Sequence, residues 1–178
     1  MLESLIHFVG KRLGSPVFKY RTRKELRSYS KNIQNYLIWY SNNRQKLDDG
    51  IKSGKHMGQL LEFIENTDKL TLGDTTPSIL ELGVFRGGTT ICFAKFLQNI
   101  KSKRMIYACD TFSGFPYADI RDEQYDETKH YLEKTDYDYV IKKYEEFGVA
   151  NHITALKGSF EDTLYQKLDK MKFSFVLS

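Results

Sequence analysis

Two carboxylates and a glycine-rich corner are the residues of this chain whose types and spacing suggest chemistry. Glu81 lies in a short apolar run, and Gly83 and Gly87 follow it closely. Asp110 comes 27 residues after Gly83, at the end of a second apolar run. A glycine corner between a strand and a helix offers unpaired backbone N–H groups and a positive dipole end to an anionic group. It also lets a ligand approach without meeting a Cβ atom.

The acid beside this corner limits what can bind there. A carboxylate at Glu81 would repel a phosphate and attract an ammonium group, which favours an amino-acid-like ligand over a dinucleotide. Asp110 stands where an acidic residue holds ribose hydroxyls in dinucleotide-binding sheets, although an aspartate there can also simply cap a turn. Taken together, the two acids and the corner indicate a nucleoside joined to an amino acid. S-adenosyl-L-methionine is that molecule.

Alternating strands and helices are needed to position these residues. The apolar runs predict strands over residues 79–82, 104–109, 152–157 and 173–177. Helical spacing predicts helices over residues 2–13, 19–47, 55–69, 88–97, 136–147 and 160–170. Gly148 is expected to cap the fifth of these helices. Such alternation is typical of βαβ units and predicts an α/β fold with a parallel sheet.

In a doubly wound parallel sheet, the loops at the carboxyl ends of the strands meet at one crevice. Three such loops are visible, at residues 81–88, 110–114 and 158–162. The chain stops on the fourth strand, where a doubly wound domain normally continues. The sequence therefore predicts the N-terminal part of a Rossmann-like domain over residues 55–178, preceded by a helical basic extension over residues 1–54.

Composition and charge restrict the class of protein. The chain has 178 residues, 40% of them apolar, which is enough for a real core, and its net charge is +4. Residues 1–50 hold 10 Lys and Arg against 4 Asp and Glu. That excess could face an acidic partner, a membrane surface or nucleic acid, but a solvated helix face is the simpler interpretation. No basic and aromatic repeat indicates a nucleic-acid groove.

Targeting and cysteine signals indicate a cytoplasmic protein. No apolar run has the length of a transmembrane helix, and the first residues do not resemble a secretory signal. Cys92 and Cys109 both lie in apolar runs, so they are expected to be buried, reduced thiols. The N-terminal helices could also pack against a second copy, which would make the protein a homo-oligomer.

Three motifs carry a resemblance to a known family. The nine residues from Glu81 to Thr89 resemble the first motif of class I S-adenosylmethionine-dependent methyltransferases. More narrowly, they are similar to the macrocin O-methyltransferase (TylF-like) family, whose motif reads Glu-x-Gly-Val-aromatic-Arg-Gly-Gly. The runs Asp110–Pro116 and Lys157–Leu164 are similar to two further motifs of that family, in the same order and spacing.

The resemblance implies a cofactor-binding role for each matched position. The residues at the first strand and corner would cradle the methionine part, Asp110 and the loop after it would hold the ribose, and the residues after the third strand would border the adenine. Met57 matches the place where the family supplies a residue near the sulfonium. The implied cofactor-binding residues are Met57, Glu81, Gly83, Val84, Phe85, Arg86, Gly87, Gly88, Asp110, Thr111, Gly114, Ser159, Phe160 and Asp162.

The implied activity is O-methylation of a sugar or another small natural-product-like acceptor with S-adenosyl-L-methionine. The resemblance also implies Mg²⁺ in a full-length form, held by aspartates beyond the fourth strand. This sequence shows no metal ligand set and no convincing catalytic base. The main alternative is a non-catalytic module that keeps the methyltransferase fold and serves interaction. A nicotinamide-binding enzyme fits less well, because the corner lacks Gly-x-Gly-x-x-Gly, and a hydroxylase-like relative that shares these motifs stays open.

Overall fold

The computed structural model describes residues 27–47, 54–69, 76–113 and 136–178. Two helices precede the sheet, α1 (Lys31–Leu47) and α2 (Gly54–Thr67). The helix expected over residues 19–47 is confirmed from Lys31 to Leu47, with a break at residues 29–30, and the helix expected over residues 55–69 ends at Thr67. The helix expected over residues 2–13 lies outside the described ranges. None of the described helices is both long and apolar enough to span a membrane.

The face that α1 buries follows its sequence spacing. Ile33, Tyr36, Leu37 and Tyr40 are buried, and their separations of three and four residues place them on one side of a helix. The Tyr36 hydroxyl donates a hydrogen bond of 2.6 Å to the Cys92 carbonyl oxygen in the helix that follows the first strand. The helix α1 therefore shares its core with the sheet domain.

Strands and helices alternate through the rest of the chain. In chain order the elements are β1 (Ser78–Leu82), α3 (Gly88–Asn99), β2 (Ile106–Asp110), α4 (Tyr137–Glu146), a 3-10 turn (Ala150–His152), β3 (Ile153–Lys157), α5 (Phe160–Lys167) and β4 (Phe173–Leu177). Within the described residues, four strands form one parallel sheet in the order β3-β2-β1-β4. This confirms the predicted α/β, Rossmann-like sheet.

The second strand begins two residues later than the sequence pattern predicts, because Arg104 has other partners. Its backbone N–H donates to the Ser102 hydroxyl at 3.1 Å instead of joining the strand ladder. Its guanidinium is fully buried and donates to the Thr67 hydroxyl at 3.1 Å, at the end of α2. Asp68 lies 3.6 Å from the same guanidinium. Arg104 therefore joins α2 to the start of β2.

The strand order reverses beside β1, which has β2 on one side and β4 on the other. In open parallel sheets, the crevice at the carboxyl ends of the strands lies at such a reversal. Side chains alternate between the two faces along each strand. Ile79 and Ala108 pack in the core shared with α1, α3 and α4. Leu80 and Cys109 pack on the opposite face with Leu168, which follows α5.

Both ends of α4 have a capping residue, and the one at Gly148 is predicted from the sequence. The Asp136 carboxylate accepts a hydrogen bond of 2.8 Å from the backbone N–H of Tyr139, which caps the start of the helix. Gly148 has a φ of +64° just after the helix, a left-handed conformation that favours glycine.

Candidate functional site

The corner between β1 and α3 contains three residues in the left-handed region. These are Gly83 at φ +86°, Phe85 at φ +52° and Gly87 at φ +72°. A Cβ atom at Gly83 would meet no atom within 4 Å, so this glycine faces open space. A Cβ atom at Gly87 would lie 2.8 Å from Cε1 of Tyr144. Gly83 therefore leaves room for a ligand, whereas Gly87 lets α4 pack closely against the corner.

Glu81 is an almost fully buried acid just before this corner, with 2% of its surface exposed. The Thr90 hydroxyl on α3 donates to Oε2 of Glu81 at 2.6 Å. Burial raises the pKa of Glu81, the Thr90 hydrogen bond lowers it and the nearby Asp110 raises it, and the resulting pKa is about 8. At neutral pH the group is therefore mostly protonated, and an approaching cation would favour its ionised form.

Asp110 ties the corner to the end of β2. Its Oδ2 atom accepts hydrogen bonds from the backbone N–H groups of Val84 at 2.6 Å and Phe85 at 3.0 Å. Its Oδ1 atom accepts one from the backbone N–H of Phe112 at 2.9 Å. The Thr111 hydroxyl is 3.4 Å from Oδ1. The carboxylate thus fixes two loops at the same edge of the sheet, and its role toward a ribose stays a prediction.

The third loop lies beside the second. The Gly158 backbone N–H donates to the Asp110 carbonyl oxygen at 3.0 Å. Ser159 caps α5 by accepting from the backbone N–H of Asp162 at 3.1 Å, and its hydroxyl donates to the Asp162 carboxylate at 2.8 Å. Phe160 is 41% exposed at the start of the helix. The structure therefore brings all three predicted loops together at the carboxyl edge of the sheet.

Other residues singled out from the sequence occupy different environments. The Arg86 guanidinium lies over the Phe85 ring, 5.0 Å from its centroid. Gly88 is the first residue of α3 and is buried. Met57 is fully buried in the core around α3, so its predicted contact with a sulfonium stays a prediction. Gly114 lies outside the described residues.

Two residues of α4 reach the corner. The buried Lys143 ammonium donates to the carbonyl oxygen of Leu47, the last residue of α1, at 2.6 Å. It also donates to the Arg86 carbonyl oxygen in the corner at 2.9 Å. Next to it, Tyr144 is 1% exposed and its ring covers Gly87. The helix α4 therefore contacts the corner through both of these side chains.

Thr90, Lys143 and Tyr144 are the residues that sequence reasoning missed as parts of this site. The sequence predicts only that Thr90 begins a helix and that Tyr144 points inward. A helical threonine and an inward tyrosine are common core residues, so neither type marks a site by itself. The one available signal was that Thr90 lies three residues after Gly87, on the same face of the helix.

The described residues do not fit a Mg²⁺ site. Within the described ranges, no group of three or more His, Cys, Asp or Glu side chains could hold a metal ion.

A cavity of about 320 Å³ lies between α1 and the last turns of α3, at the end of α3 away from the corner. Trp39, Lys95 and Gln98 are among its lining residues. It therefore includes none of the predicted site residues.

Comparisons with known proteins agree with the sequence motifs. The family model described as macrocin-O-methyltransferase (TylF) matches residues 19–173. Among solved structures, the chain is similar to one titled "Structure of the O-methyltransferase NovP", with 17% sequence identity and a TM-score of 0.46. The similarity covers 94% of this chain and 66% of the NovP chain, slightly less than two thirds of it. No curated protein is found to match the chain.

Proposed function

The chain belongs to the macrocin O-methyltransferase (TylF) family, and on that premise we propose that it binds S-adenosyl-L-methionine for O-methylation of a small acceptor. The observation that carries the proposal is the family match over residues 19–173, which includes all three loops at the carboxyl edge of the sheet. The acceptor is proposed to be a hydroxyl of a sugar or a similar small molecule, from the resemblance of the motifs.

Different residues around the corner would bind different parts of the cofactor. Glu81 would face the ammonium group of the methionine part, because a buried carboxyl ionises most readily beside a cation. The open space at Gly83 would receive the part that runs closest to the backbone. Asp110 would hold the ribose hydroxyls from a position fixed by its bonds to the corner. The exposed ring of Phe160 would give the adenine an apolar surface.

Positioning and the exclusion of water are this chain's expected contributions to catalysis. When bound, the cofactor would supply a methyl group on a positively charged sulfur for transfer to an acceptor oxygen, with S-adenosylhomocysteine as the leaving group and loss of the acceptor's hydroxyl proton. Reactions of this kind gain much of their rate from holding the partners in line and away from bulk water. The hydrogen bonds that the Asp110 and Lys143 side chains make to backbone atoms of the corner would hold it in one conformation before the ligand binds.

Calorimetric titration of the chain with S-adenosyl-L-methionine and S-adenosylhomocysteine tests the proposal. We expect binding by the unmodified chain and at least tenfold weaker binding by the Asp110→Ala variant, because the corner and the ribose would lose the same carboxylate. Asp169→Ala, at an exposed position after α5, is the matched control and should bind like the unmodified chain.

Absence of heat with either ligand, for protein shown to be folded by circular dichroism, would reject the proposal. Binding that is equally strong in the Asp110→Ala variant would remove the ribose role from this residue. A methyl-transfer assay with sugar acceptors then separates the two classes of function. Cofactor binding without transfer to any acceptor would favour the alternative of a non-catalytic module.

A further inference from the structure

Tyr144 carries a buried hydroxyl without a hydrogen-bond partner among the described residues. Its ring covers Gly87, and Thr90 lies three residues further along α3, on the same face of that helix. The Thr90 hydroxyl in turn donates a hydrogen bond to the Glu81 carboxyl. Tyr144 therefore packs against the start of α3, the part of the helix whose Thr90 hydroxyl donates to Glu81.

The charged groups near the Tyr144 hydroxyl include the Glu81 and Asp110 carboxyls. Burial raises the pKa of Tyr144 well above its ordinary value, and the Glu81 and Asp110 carboxylates raise it further. Tyr137 has a smaller effect in the same direction. The Thr90 hydroxyl is close enough to lower this pKa somewhat, although the two hydroxyls do not meet hydrogen-bond geometry. Tyr144 thus keeps its proton at working pH and can donate a hydrogen bond to an ionised acceptor.

An unpartnered buried hydroxyl costs free energy in the ligand-free protein. Hydrogen bonds to an ionised carboxylate are about twice as strong as those between neutral groups. Ionisation of Glu81 would therefore offer the Tyr144 hydroxyl a much stronger acceptor than the protonated carboxyl. Because the Tyr144 hydroxyl has no partner in the ligand-free protein, a small shift of the Tyr144 or Thr90 side chain is needed to form the bond.

We propose that Tyr144 is a positioning residue whose hydroxyl stabilises the ionised form of Glu81 when a cationic amino-acid group enters the corner. This proposal deepens the proposed function and depends on it. Tyr144 acts through Glu81 and does not itself contact the ligand. Its effect on ligand affinity must therefore vary with pH, since it matters only where Glu81 has to give up a proton for binding.

The test compares the affinity of S-adenosylhomocysteine for the unmodified chain and for Tyr144→Phe from pH 6.5 to pH 9.5. We expect the Tyr144→Phe variant to bind S-adenosylhomocysteine about tenfold more weakly than the unmodified chain near pH 7. This loss corresponds to a rise of about one unit in the pKa of Glu81. Near pH 9.5, where Glu81 is ionised in both proteins, the ratio of the two affinities should approach one. Using a ratio cancels the titration of the ligand's own amino group.

Two controls keep the outcome specific. Tyr139→Phe, on the same helix but with a 38% exposed side chain, should leave the ratio at one throughout. In a Glu81→Gln background, Tyr144→Phe should cause no pH-dependent change. Because the substitution removes an unpartnered hydroxyl, the ligand-free Tyr144→Phe protein should melt no lower than the unmodified chain.

The possible results separate this inference from the proposed function. A ratio that is the same at every pH, whether one or larger, would overturn the role of Tyr144 while leaving cofactor binding intact. A ligand-free Tyr144→Phe protein that melts clearly lower would overturn it as well, since the hydroxyl would then already have a partner. Failure of the unmodified chain to bind at any pH would instead reject the proposed function.

Discussion

Glu81 is the residue with the most unusual environment in the described part of this site. It is buried at the carboxyl end of a central strand, yet its strongest contact is a single hydroxyl. The sequence identifies Glu81 as an acid beside a glycine corner, because its position between apolar residues and glycines is visible there. Its burial and altered pKa depend on the packing of α3, which follows directly in the chain, and of α4, which is distant in sequence.

The pKa of Glu81 predicts how stability depends on pH. The folded protein keeps this proton up to a pKa of about 8, whereas the unfolded chain releases it near the ordinary glutamate pKa of 4.5. The contribution of this group is therefore full below about pH 4.5 and is lost as the pH rises toward 8, by up to about 1.4 kcal/mol per pH unit. Glu81→Gln cannot ionise, so its stability should fall less over this range.

Urea unfolding at pH 5.5 and pH 8 measures this difference in the free energy of unfolding. The charged and titratable groups that face Glu81 are Asp110, Tyr144 and Cys109, and they are unchanged in the variant. Glu145→Gln, at an exposed position on α4, serves as the control and should follow the unmodified chain. Equal slopes for Glu81→Gln and the unmodified chain would contradict a raised pKa.

Among the helices and strands, α4 makes the contacts that are hardest to predict from the sequence. Its limits are predictable, because Asp136 and Gly148 are capping residues at the expected places. What it contacts is not predictable from its own residues. A lysine in an amphipathic helix is usually solvated, but Lys143 is buried and bridges the end of α1 to the corner.

Removing this bridge should destabilise the protein. Lys143→Met keeps the aliphatic chain but leaves the carbonyl oxygens of Leu47 and Arg86 without their donor. The loss of buried hydrogen bonds and of a cation at the end of α1 predicts a decrease of about 1–3 kcal/mol in the free energy of unfolding. Urea unfolding measures it, with the exposed Lys142→Met as the control. Equal stability of the two variants would show that the bridge contributes nothing.

At the scale of the whole molecule, the sheet and its order of elements follow from the sequence, and the position of α1 does not. Period and length identify four short apolar strands, and their alternation with helices leaves a parallel sheet as the simplest solution. The basic excess before residue 50 suggested a separate extension. The buried face of α1 packs against α3 through Tyr36, so this helix shares the sheet's core. The division at residue 54, the cytoplasmic location and the homo-oligomer stay predictions.

The bonds that Asp110 makes to the corner have a consequence for how the molecule opens. The amide protons of Val84 and Phe85 lie in a turn, where exchange with solvent water is ordinarily fast, but a carboxylate from the neighbouring strand holds both. Their exchange should therefore be slow and match that of β1 and β2 amides, because release requires the two strands to separate. Exchange at turn-like rates, measured by nuclear magnetic resonance, would contradict this. The corner and the centre of the sheet are then one cooperative unit, and a ligand that binds the corner would slow exchange in strands it never touches.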